Sequence, residues 1–474
     1  MQASAQRVPF GVPELDNVIE GGLPKGSLVL LAGTPGSGKT AFAARFLFEG
    51  TTKFGEKGIY VSFAEGRDAF FMEMERYGLD FKKLEQEGKF IFLDLMTVKS
   101  EGISAATQVI VDTVTDLNAS RLVIDSFSAM AQAFPQVIEA RSILHTILGK
   151  IIRQAGCTTL LISEVPVGTS RLGLGIEEFV ADGVLRFSQR EVGGRILRIL
   201  GIHKLRGTKI GKREHLFTLD NGFRVLKSFE PTTANDGHNF ETLKGDSSHR
   251  STGIRDLDTI LGGGFRRGSH NLFEVSEDVS LEALTGFLAP IISNAVKAGD
   301  QVICIPVDGM FPEELQSSLK NHLGAEGLAA FHIFDITGRG APNTVNLGGA
   351  TVLQPFDTFW KTCRRLGRTP SRGILSIFGF DSLESRFAKD LQAMQGLISE
   401  TIAKVRNAGD ILVSIARPFS NTLRQLSCAS DSHFKLTEYD GVLCLSGVKP
   451  RTDYYGIAAG ISQNHQEIGL VQVS

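Results

Sequence analysis

Long apolar runs are missing from the sequence. None reaches the roughly 18 residues that a membrane-spanning helix needs, and the opening stretch MQASAQRVPFGV lacks the apolar core of a secretory signal. A spanning or secreted protein is therefore not indicated, and we expect the protein to be cytoplasmic.

Cysteine is scarce, with five residues in 474, and no two of them have C-x-x-C spacing. Most lie in or beside apolar runs, which is typical of reduced cysteines in a core, so a metal site built from them is not expected. The five are Cys157, Cys304, Cys363, Cys428 and Cys444.

An excess of charge of either sign is also missing, since the formal net charge is −2. Such a chain has no global basic field for a polyanion, so nucleic-acid binding would need a local patch. The shares of hydrophobic residues, 42%, and charged residues, 22%, are ordinary for globular proteins. A chain of 474 residues is long enough for two or more domains with full cores.

The chain contains a long internal repeat. The segment GVPELDNVIEGGLPKGS, which begins at residue 11, aligns without a gap with GIRDLDTILGGGFRRGS, which begins at residue 253. FGEKGIYVSFAEG likewise pairs with AGDQVICIPVDGM, and IRQAGCTTLLISE pairs with VRNAGDILVSIAR. A period this long indicates a duplicated domain. We predict a first domain at 1–227, a polar linker at 228–250 and a second domain at 251–474.

Strand-like runs alternate with helix-length stretches through the first copy. Runs such as SLVLLAG, GIYVSFA and RLVID are separated by segments such as ISAATQVIVDTVTDLN. This alternation predicts an α/β fold with a mainly parallel, twisted sheet and flanking helices. The last runs, GVLRFS, RILRILGIHKL and EHLFTLDNGFRVL, follow one another with short turns and predict antiparallel strands at the sheet edge.

The segment GTPGSGKT matches the pattern G-x-x-x-x-G-K-[ST] between a predicted strand and a predicted helix. Its glycines allow backbone N–H groups to surround phosphate oxygens at the N-terminus of a helix. Lys39 would reach the β- and γ-phosphates, and the Thr40 hydroxyl can ligate Mg²⁺. ATP and Mg²⁺ are therefore the expected cofactors. The predicted loop residues are Gly33, Thr34, Pro35, Gly36, Ser37, Gly38, Lys39 and Thr40.

Two carboxylates are expected at the same sheet edge as this loop. Asp125 ends the buried run RLVIDS, where it would hold a water on Mg²⁺; the alternative is an N-cap for the following helix. Glu65 ends the strand that comes after the loop helix and is the candidate base for the attacking water; the alternative is a solvated strand-end carboxylate. Together with Thr40, these two residues are the candidates for the magnesium site.

Five segments in this order, PGSGKT, VSFAEG, RLVIDS, GIEEFVADGV and HKLRGTK, resemble the KaiC-type domains of the RecA-like ATPases. The resemblance covers the whole first copy and implies two tandem RecA-like P-loop domains. It also implies a homo-oligomeric ring, commonly a hexamer, with ATP between neighbouring subunits. Lys204 and Arg206 would then act in catalysis on the neighbour's ATP, with Arg206 as an arginine finger. Without the resemblance, a Lys-x-Arg in a hairpin is usually a solvated pair. The resemblance also puts three further residues near the nucleotide: Leu205, Thr208 and Asp220.

The first copy departs from the family pattern in two places. KaiC domains commonly carry paired glutamates where this chain has Ala64 and Glu65, although the RecA branch also places its catalytic glutamate after an alanine. We therefore expect Glu65 alone to suffice as the catalytic glutamate, and we expect ATP hydrolysis to be slow. Ile210 stands where KaiC domains often have a polar nucleotide contact. The resemblance therefore supports phosphate binding more strongly than selectivity for the adenine base.

The second copy lacks the phosphate loop. The aligned segment is VSEDVSLE, in which Leu281 stands in place of Lys39 and Glu282 in place of Thr40. Its acidic residues would also repel a triphosphate. We expect a degenerate, nucleotide-free domain for assembly or partner binding, and no autokinase activity. Further alignments are Gly309 with Glu65, Arg417 with Glu164, Asp381 roughly with Asp125, and Lys449 and Arg451 with Lys204 and Arg206.

One basic stretch of the second copy, WKTCRRLGRTPSR, is a candidate docking surface for nucleic acid or an acidic partner. A helix through it would present Lys361, Arg364, Arg365 and Arg368 on one face, next to Trp360. The favoured alternative is a solvated basic helix, because a glycine and a proline cut the helix short.

Three functions are open at this stage. The leading hypothesis is an ATP-binding, slowly hydrolysing ring protein in signalling or regulation, with an unidentified protein partner and no membrane partner. The first alternative is a DNA-dependent recombinase or helicase motor of the RecA branch; it is disfavoured because SFSAMAQAFPQVIEA and VPVGTSRLGLG hold few basic residues. The second alternative is a non-catalytic scaffold, similar to archaeal gas-vesicle regulators, in which ATP only stabilises assembly.

Overall fold

The computed structural model describes residues 6–96, 103–132, 155–165, 180–231, 242–336, 344–347, 349–369, 372–462 and 465–473. Parts of several segments discussed above lie outside these ranges, namely SFSAMAQAFPQVIEA, VPVGTSRLGLG, GIEEFVADGV, the linker at 228–250 and the end of the basic stretch. The chain forms two compact units, a first that runs to Leu226 and a second from Lys227 to Gln472.

The first unit alternates strands and helices before it ends in a run of strands. Its helices are α1 (Pro13–Val18), α2 (Lys39–Lys53), α3 (Arg67–Arg76), α4 (Phe81–Gln86), α5 (Ile103–Leu117) and α6 (Phe127–Gln132). Its strands are β1 (Arg7–Val8), β2 (Leu23–Pro24), β3 (Leu28–Gly33), β4 (Gly58–Ser62), β5 (Phe90–Asp94), β6 (Arg121–Asp125), β7 (Thr158–Glu164), β8 (Gly183–Val192), β9 (Arg195–Leu205), β10 (Glu214–Thr218) and β11 (Arg224–Val225).

Nine of these strands form one sheet in the order β11-β10-β9-β8-β3-β7-β6-β4-β5. The strands from β8 to β5 pair in parallel, and β9, β10 and β11 add antiparallel at one side. Alternate residues of β3 enter two separate cores, with Val29 and Leu31 on one face and Leu28 and Leu30 on the other. The carboxyl ends of β3, β4, β6 and β7 therefore meet at one edge, where open α/β sheets bind ligands.

The second unit has the same alternation. Its helices are α7 (Arg255–Leu261), α8 (Leu281–Lys297), α9 (Pro312–Leu328, kinked at Gly324), α10 (Leu353–Leu366), α11 (Phe380–Arg386), α12 (Leu391–Ala408) and α13 (Leu423–Ala429). Its strands are β12 (His249–Arg250), β13 (Phe265–Arg266), β14 (His270–Val275), β15 (Gln301–Ile305), β16 (Phe331–Asp335), β17 (Thr344–Asn346), β18 (Ile374–Gly379), β19 (Ile411–Ala416), β20 (Ser432–Tyr439), β21 (Val442–Lys449), β22 (Tyr454–Ser462) and β23 (His465–Gln472).

The large sheet of the second unit has the order β17-β16-β15-β18-β19-β14-β20-β21-β22-β23. From β16 to β21 this order repeats that of the first unit from β5 to β9. The antiparallel hairpins even shift register at the same step, between Val184 and Leu185 in one unit and between His433 and Phe434 in the other. The predicted fold class, α/β with mainly parallel sheets and antiparallel edge strands, is confirmed in both units.

One aspartate ties the N-terminal turn of each unit. Asp16 accepts hydrogen bonds from the backbone N–H groups of Phe10, Gly11 and Val12 at 2.7, 3.0 and 3.1 Å. Asp258, which aligns with Asp16 in the repeat, accepts from the Thr252 N–H at 2.7 Å and the Thr252 hydroxyl at 2.6 Å. A carboxylate with several donors satisfies buried backbone groups that a loop would otherwise leave unpaired.

The helix in the basic stretch of the second unit is cut short at its glycine, as the favoured alternative expected. Helix α10 ends at Leu366, because Gly367 has a φ of 70°, so Arg368 is not on its face. Arg368 instead donates to Asp410 through Nε at 2.8 Å. Lys361 pairs with Asp357 at 2.6 Å, and the Lys404 ammonium lies 5.0 Å from the Trp360 ring centroid. Part of the predicted basic surface is therefore used in contacts within the unit.

Four of the five cysteines are buried and unpaired, as the sequence predicted. Burial raises the pKa of each of these thiols to about 12, so they are held in the unreactive protonated form. The fifth, Cys428, is exposed. Within the described ranges, no helix combines the length and the apolar character that crossing a membrane requires.

We expect Asp16→Ala to lower the free energy of unfolding of the first unit by about 2–4 kcal/mol, because three backbone N–H groups lose a charged acceptor. Asp258→Ala should destabilise the second unit, because the N–H and the hydroxyl of Thr252 lose their acceptor. Far-UV circular dichroism during guanidinium unfolding follows both units, and the fluorescence of Trp360, the single tryptophan, follows the second alone. Equal fluorescence-detected shifts in the two variants would contradict this assignment.

Candidate active site

The segment Gly33–Thr40 forms a tight loop between β3 and α2. Gly36 and Gly38 have φ values of 71° and 95°, which only glycine adopts readily. A Cβ on Gly33 would lie 2.5 Å from the Phe187 carbonyl oxygen and 2.8 Å from Ser37 Oγ, so no side chain fits there. The loop is thus shaped by its glycines, and its last residues open a 15-residue helix. That helix N-terminus adds a partial positive charge to the loop.

Lys39 lies inside the loop and is 6% exposed. Its Nζ donates to the carbonyl oxygens of Gly33 at 2.9 Å and Thr34 at 2.8 Å. Burial lowers the pKa of Lys39, while the negative charges of Glu164 and Asp125 oppose that shift. The loop therefore holds a buried cation that can exchange carbonyl partners for phosphate oxygens.

Asp125 ends β6 beside the start of α2, where it is 7% exposed. Its Oδ2 accepts two hydrogen bonds, from the Thr40 hydroxyl at 2.9 Å and from the Tyr60 phenol at 2.5 Å. Burial raises the pKa of Asp125, and the hydrogen bonds from Tyr60 and Thr40 counteract that rise. The sequence-predicted pair of Thr40 and Asp125 is thus in direct contact.

The contact between Thr40 and Asp125 fits a magnesium site. The Thr40 hydroxyl directs its hydrogen to Asp125, so its lone pairs stay open to a cation, and both side chains offer the oxygen ligands that Mg²⁺ prefers. In the part of the chain that the structure describes, no group of three or more His, Cys, Asp or Glu side chains could hold a metal ion. Two protein oxygens suit Mg²⁺ that arrives with a nucleotide, because substrate phosphates and water complete its shell.

Glu65 was predicted to end its strand, but β4 ends at Ser62 and Glu65 lies three residues further on, in a turn closed by the Ser62 hydroxyl. The Ser62 hydroxyl donates to the Glu65 carbonyl oxygen at 2.7 Å and accepts from the Glu65 N–H at 3.0 Å. Burial, followed by the negative charges of Glu73 and Asp125, raises the pKa of Glu65 to about 7. A carboxyl with such a pKa can take up a proton near neutral pH, as a general base requires.

Lys204, Leu205 and Arg206 do not lie with these residues. In the parallel pairing of β8 with β3, Phe187 is opposite Gly33 at the loop end, whereas Gly183 is opposite both Val29 and Leu205. Four strand residues separate the two levels, which is roughly 13 Å at about 3.3 Å per residue. These three residues are therefore at the other end of the sheet from the phosphate loop of their own chain.

The residues around Arg206 are fixed by local contacts at that far end. The Lys204 ammonium donates to the Ala181 carbonyl oxygen at 2.7 Å. Arg206 is 60% exposed, and its guanidinium lies 3.7 Å from Asp182. The Thr208 hydroxyl accepts a hydrogen bond from Arg7 at 2.6 Å. The Leu205 side chain is buried.

Asp220 is on the loop side, unlike the other predicted hairpin residues. It follows β10, and the side chains just before it pack at the loop: a Cβ on Gly38 would lie 3.2 Å from Phe217 and 3.3 Å from Leu219. Asp220 itself is exposed, with its carboxylate 3.7 Å from Arg224. The predicted nucleotide contacts are thus divided between the two ends of the sheet.

Sequence reasoning missed two polar contributors to the site. Tyr60 lies in the middle of the buried run of β4, which read as core, and Gln189 donates from β8 to the Gly36 carbonyl oxygen at 3.2 Å. The available signal for Tyr60 was that a phenol in a fully buried strand needs a hydrogen-bond partner. The choice of Asp125 as that partner depends on strand pairing.

The corresponding edge of the second unit has a different loop. Strand β14 ends at Val275, which aligns with the end of β3 in the repeat. Helix α8 begins at Leu281, which aligns with the start of α2. Ser280 caps the helix by accepting a hydrogen bond from the Ala283 N–H at 3.1 Å. An ordinary N-cap therefore stands where the first unit has its left-handed Gly38.

A cation from another strand satisfies this loop. Arg417, just beyond β19, donates through Nη1 to the Ser276 carbonyl oxygen at 2.6 Å. Ser276 aligns with Thr34, whose carbonyl accepts from Lys39 in the first unit. The Arg417 Nε also lies 3.7 Å from Asp381. In the second unit the cation that holds the loop therefore comes from the end of β19, whereas in the first unit it comes from the start of α2.

Asp381 lies two residues beyond the position that corresponds to Asp125. The pairing of β18 with β15 and β19 puts Gly379 at the position that Asp125 has in β6. Asp381 lies further on, in the first turn of α11. A Cβ on Gly379 would lie 2.6 Å from the Pro306 carbonyl oxygen, so this position cannot carry a carboxylate without a backbone shift.

The chain is similar to several known proteins. The family model described as "ATPase: KaiC" matches residues 8–229. A UPF0273 protein of Pyrococcus horikoshii is 34% identical over 235 residues, which cover 46% of this chain and 94% of that protein. The circadian clock oscillator protein KaiC of Thermostichus vulcanus is 30% identical over 275 residues, covering 56% of this chain and 51% of that protein. A solved KaiC-like protein of Pyrococcus horikoshii is 36% identical, with a TM-score of 0.43, over 47% of this chain and 100% of that chain.

The matched segment 8–229 contains the phosphate loop, Glu65, Asp125 and the hairpin with Arg206. Members of this family use nucleotides and form oligomeric rings. On the family model and on relatives matched over nearly their whole length, the chain belongs to the KaiC family of ATPases, in the RecA superfamily.

Proposed function

We propose that the first unit binds ATP with Mg²⁺ and hydrolyses it slowly, in a cytoplasmic ring, commonly a hexamer, that serves signalling or regulation. The observation that carries the proposal is the meeting of a buried cation, a Thr–Asp pair and a carboxyl of raised pKa at one sheet edge. Lys39, Asp125 and Glu65 supply these three features.

Phosphate binding is the first task of this edge. The glycine-rich loop offers backbone N–H groups at the start of α2, and Lys39 adds a full positive charge in a site where water screens it little. Thr40 and Asp125 would hold the magnesium ion, which, when bound, neutralises charge on the phosphate oxygens. The buried Lys39 cation thus gains a charged partner when the nucleotide binds.

Activation of water is assigned to Glu65. Its turn, closed by Ser62, fixes the backbone, and its ionised form can accept a proton from the attacking water. With a pKa of about 7, only part of the protein carries this base at neutral pH. Ala64 provides no second carboxylate beside it. Both features support slow turnover.

Arg206 is assigned to a neighbouring subunit's nucleotide. Because Lys204 and Arg206 lie at the opposite end of the sheet from their own loop, they cannot act on the ATP bound there. An exposed guanidinium delivered in trans would neutralise charge that develops on the γ-phosphoryl group. A ring in which each chain completes the next chain's site satisfies both requirements.

The second unit is proposed to bind no ATP and to have no autokinase activity. Leu281, Glu282 and Gly379 stand at the positions of Lys39, Thr40 and Asp125, and Arg417 ties the loop without a ligand. This unit is left to serve assembly or the binding of a protein partner.

We expect Glu65→Gln to keep ATP binding and assembly but to lose most phosphate release, because the amide cannot accept the water proton. Phosphate release and particle mass with and without ATP measure the two properties in one preparation. Glu73→Gln is the matched control, since it neutralises a nearby exposed carboxylate and leaves the proposed base. If wild type assembles with ATP but releases phosphate no faster than Glu65→Gln, the nucleotide is a structural ligand only.

The pH dependence of kcat/KM provides an independent check. Since a raised pKa keeps Glu65 protonated and inactive at low pH, kcat/KM is expected to rise with pH, with a midpoint near the pKa of about 7. Glu73→Gln should move this midpoint to lower pH, because the Glu73 charge contributes to the raised pKa. A profile that is flat from pH 5 to 9, roughly the range over which such a group titrates, would argue against a carboxylate base.

Mixing two inactive variants tests the shared site. Lys39→Ala removes the loop cation and Arg206→Ala removes the finger, so each variant alone should be inactive. In a 1:1 mixture, about a quarter of the interfaces in a randomly mixed ring pair an intact loop with an intact finger, so up to about a quarter of wild-type activity should return. Arg213→Ala, at another exposed arginine, is the control and should stay active alone. No recovery after verified mixing would contradict action in trans.

A further inference from the structure

Tyr60 places a phenol between two apolar residues in the middle of β4. The ring is fully buried in β4 and packs against Phe70 at 4.3 Å and Phe92 at 5.6 Å between centroids. Its hydroxyl donates to Asp125 Oδ2 at 2.5 Å. The packed ring has little freedom to move, so the hydroxyl is held in a fixed place against the carboxylate.

Asp125 Oδ2 therefore has two donors, which come from two different elements. Thr40 approaches from the start of α2 and Tyr60 from the neighbouring strand. Two donors restrict the carboxylate more than one does, because a buried hydrogen-bond network whose members are satisfied rigidifies its site. The orientation of the Thr40 hydroxyl is fixed in turn, because its hydrogen is committed to that oxygen.

We propose that Tyr60 is a positioning residue for magnesium: it holds Asp125, and through it Thr40, in the arrangement that receives the ion with the nucleotide. This inference rests on the proposed ATP and Mg²⁺ site of the first unit. Partners that hydrogen-bond to metal ligands orient those ligands, and their loss commonly costs about 10- to 100-fold in metal affinity or activity.

The second unit lacks both members of this contact. Cys304 has the position of Tyr60 in the strand register, and Gly379 has that of Asp125. Cys304 is buried among apolar side chains and has no hydroxyl to donate. The phenol is thus present in the unit that has the carboxylate and absent from the unit that does not, which a purely packing role for Tyr60 would not require.

We expect Tyr60→Phe to weaken the magnesium dependence of nucleotide binding. The full-length protein is titrated with MgCl₂ at a fixed concentration of a fluorescent ATP analogue, and the Mg²⁺ concentration at half-maximal binding should rise by about tenfold or more. Binding of the analogue in EDTA should not change, because Lys39 and the loop contact the phosphates without the metal. The replacement keeps the aromatic ring and therefore the packing.

Control variants distinguish positioning from a general loss of structure. Tyr77→Phe removes a hydroxyl from the same unit at a partly buried position outside the site and should leave the Mg²⁺ midpoint unchanged. Asp125→Asn should raise the midpoint, and adding Tyr60→Phe to it should cause little further change, because both act through one contact.

The outcomes separate this inference from the function on which it rests. If wild type binds the analogue without any dependence on Mg²⁺, the proposed magnesium site is wrong. If wild type depends on Mg²⁺ and Tyr60→Phe has the same midpoint, then Tyr60 does not position the site, whatever its effect on thermal stability.

Discussion

The first unit depends on holding opposite charges out of water at the carboxyl edge of its sheet. Lys39 and Asp125 are both more than nine-tenths buried, and burial shifts the pKa of each toward its neutral form. Hydrogen bonds from Tyr60 and Thr40, and to two loop carbonyls, compensate for part of that cost. Charges held in this way act strongly on a bound phosphate, because little water is present to screen them.

The second unit shows the same fold without that constraint. Its strand order and its hairpin register shift follow the first unit, so the architecture does not need a phosphate loop. Arg417 donates a hydrogen bond to the Ser276 carbonyl oxygen of the loop. Gly379, which has no room for a Cβ, stands where the first unit has Asp125. The shared fold is consistent with our proposal that only the first unit binds ATP, because a fold does not by itself fix a function.

Local patterns allowed much of this to be predicted from the sequence. The phosphate loop, its helix and the end of β6 at Asp125 follow from short apolar runs and glycine spacing. The errors arose where position depends on pairing between distant strands. Asp381 was aligned roughly with Asp125 because the alignment carries no strand register. The contact of Tyr60 with Asp125 required the same three-dimensional information.

The central claim is that one nucleotide site per chain exists, and that the first unit provides its loop. Counting ATP bound per full-length chain at saturation, by equilibrium dialysis with Mg²⁺, tests this most directly. The account predicts one ATP per chain for wild type and none for Lys39→Ala. Two ATP per chain, or one retained by Lys39→Ala, would mean that the second unit binds nucleotide and would contradict the division of roles described above.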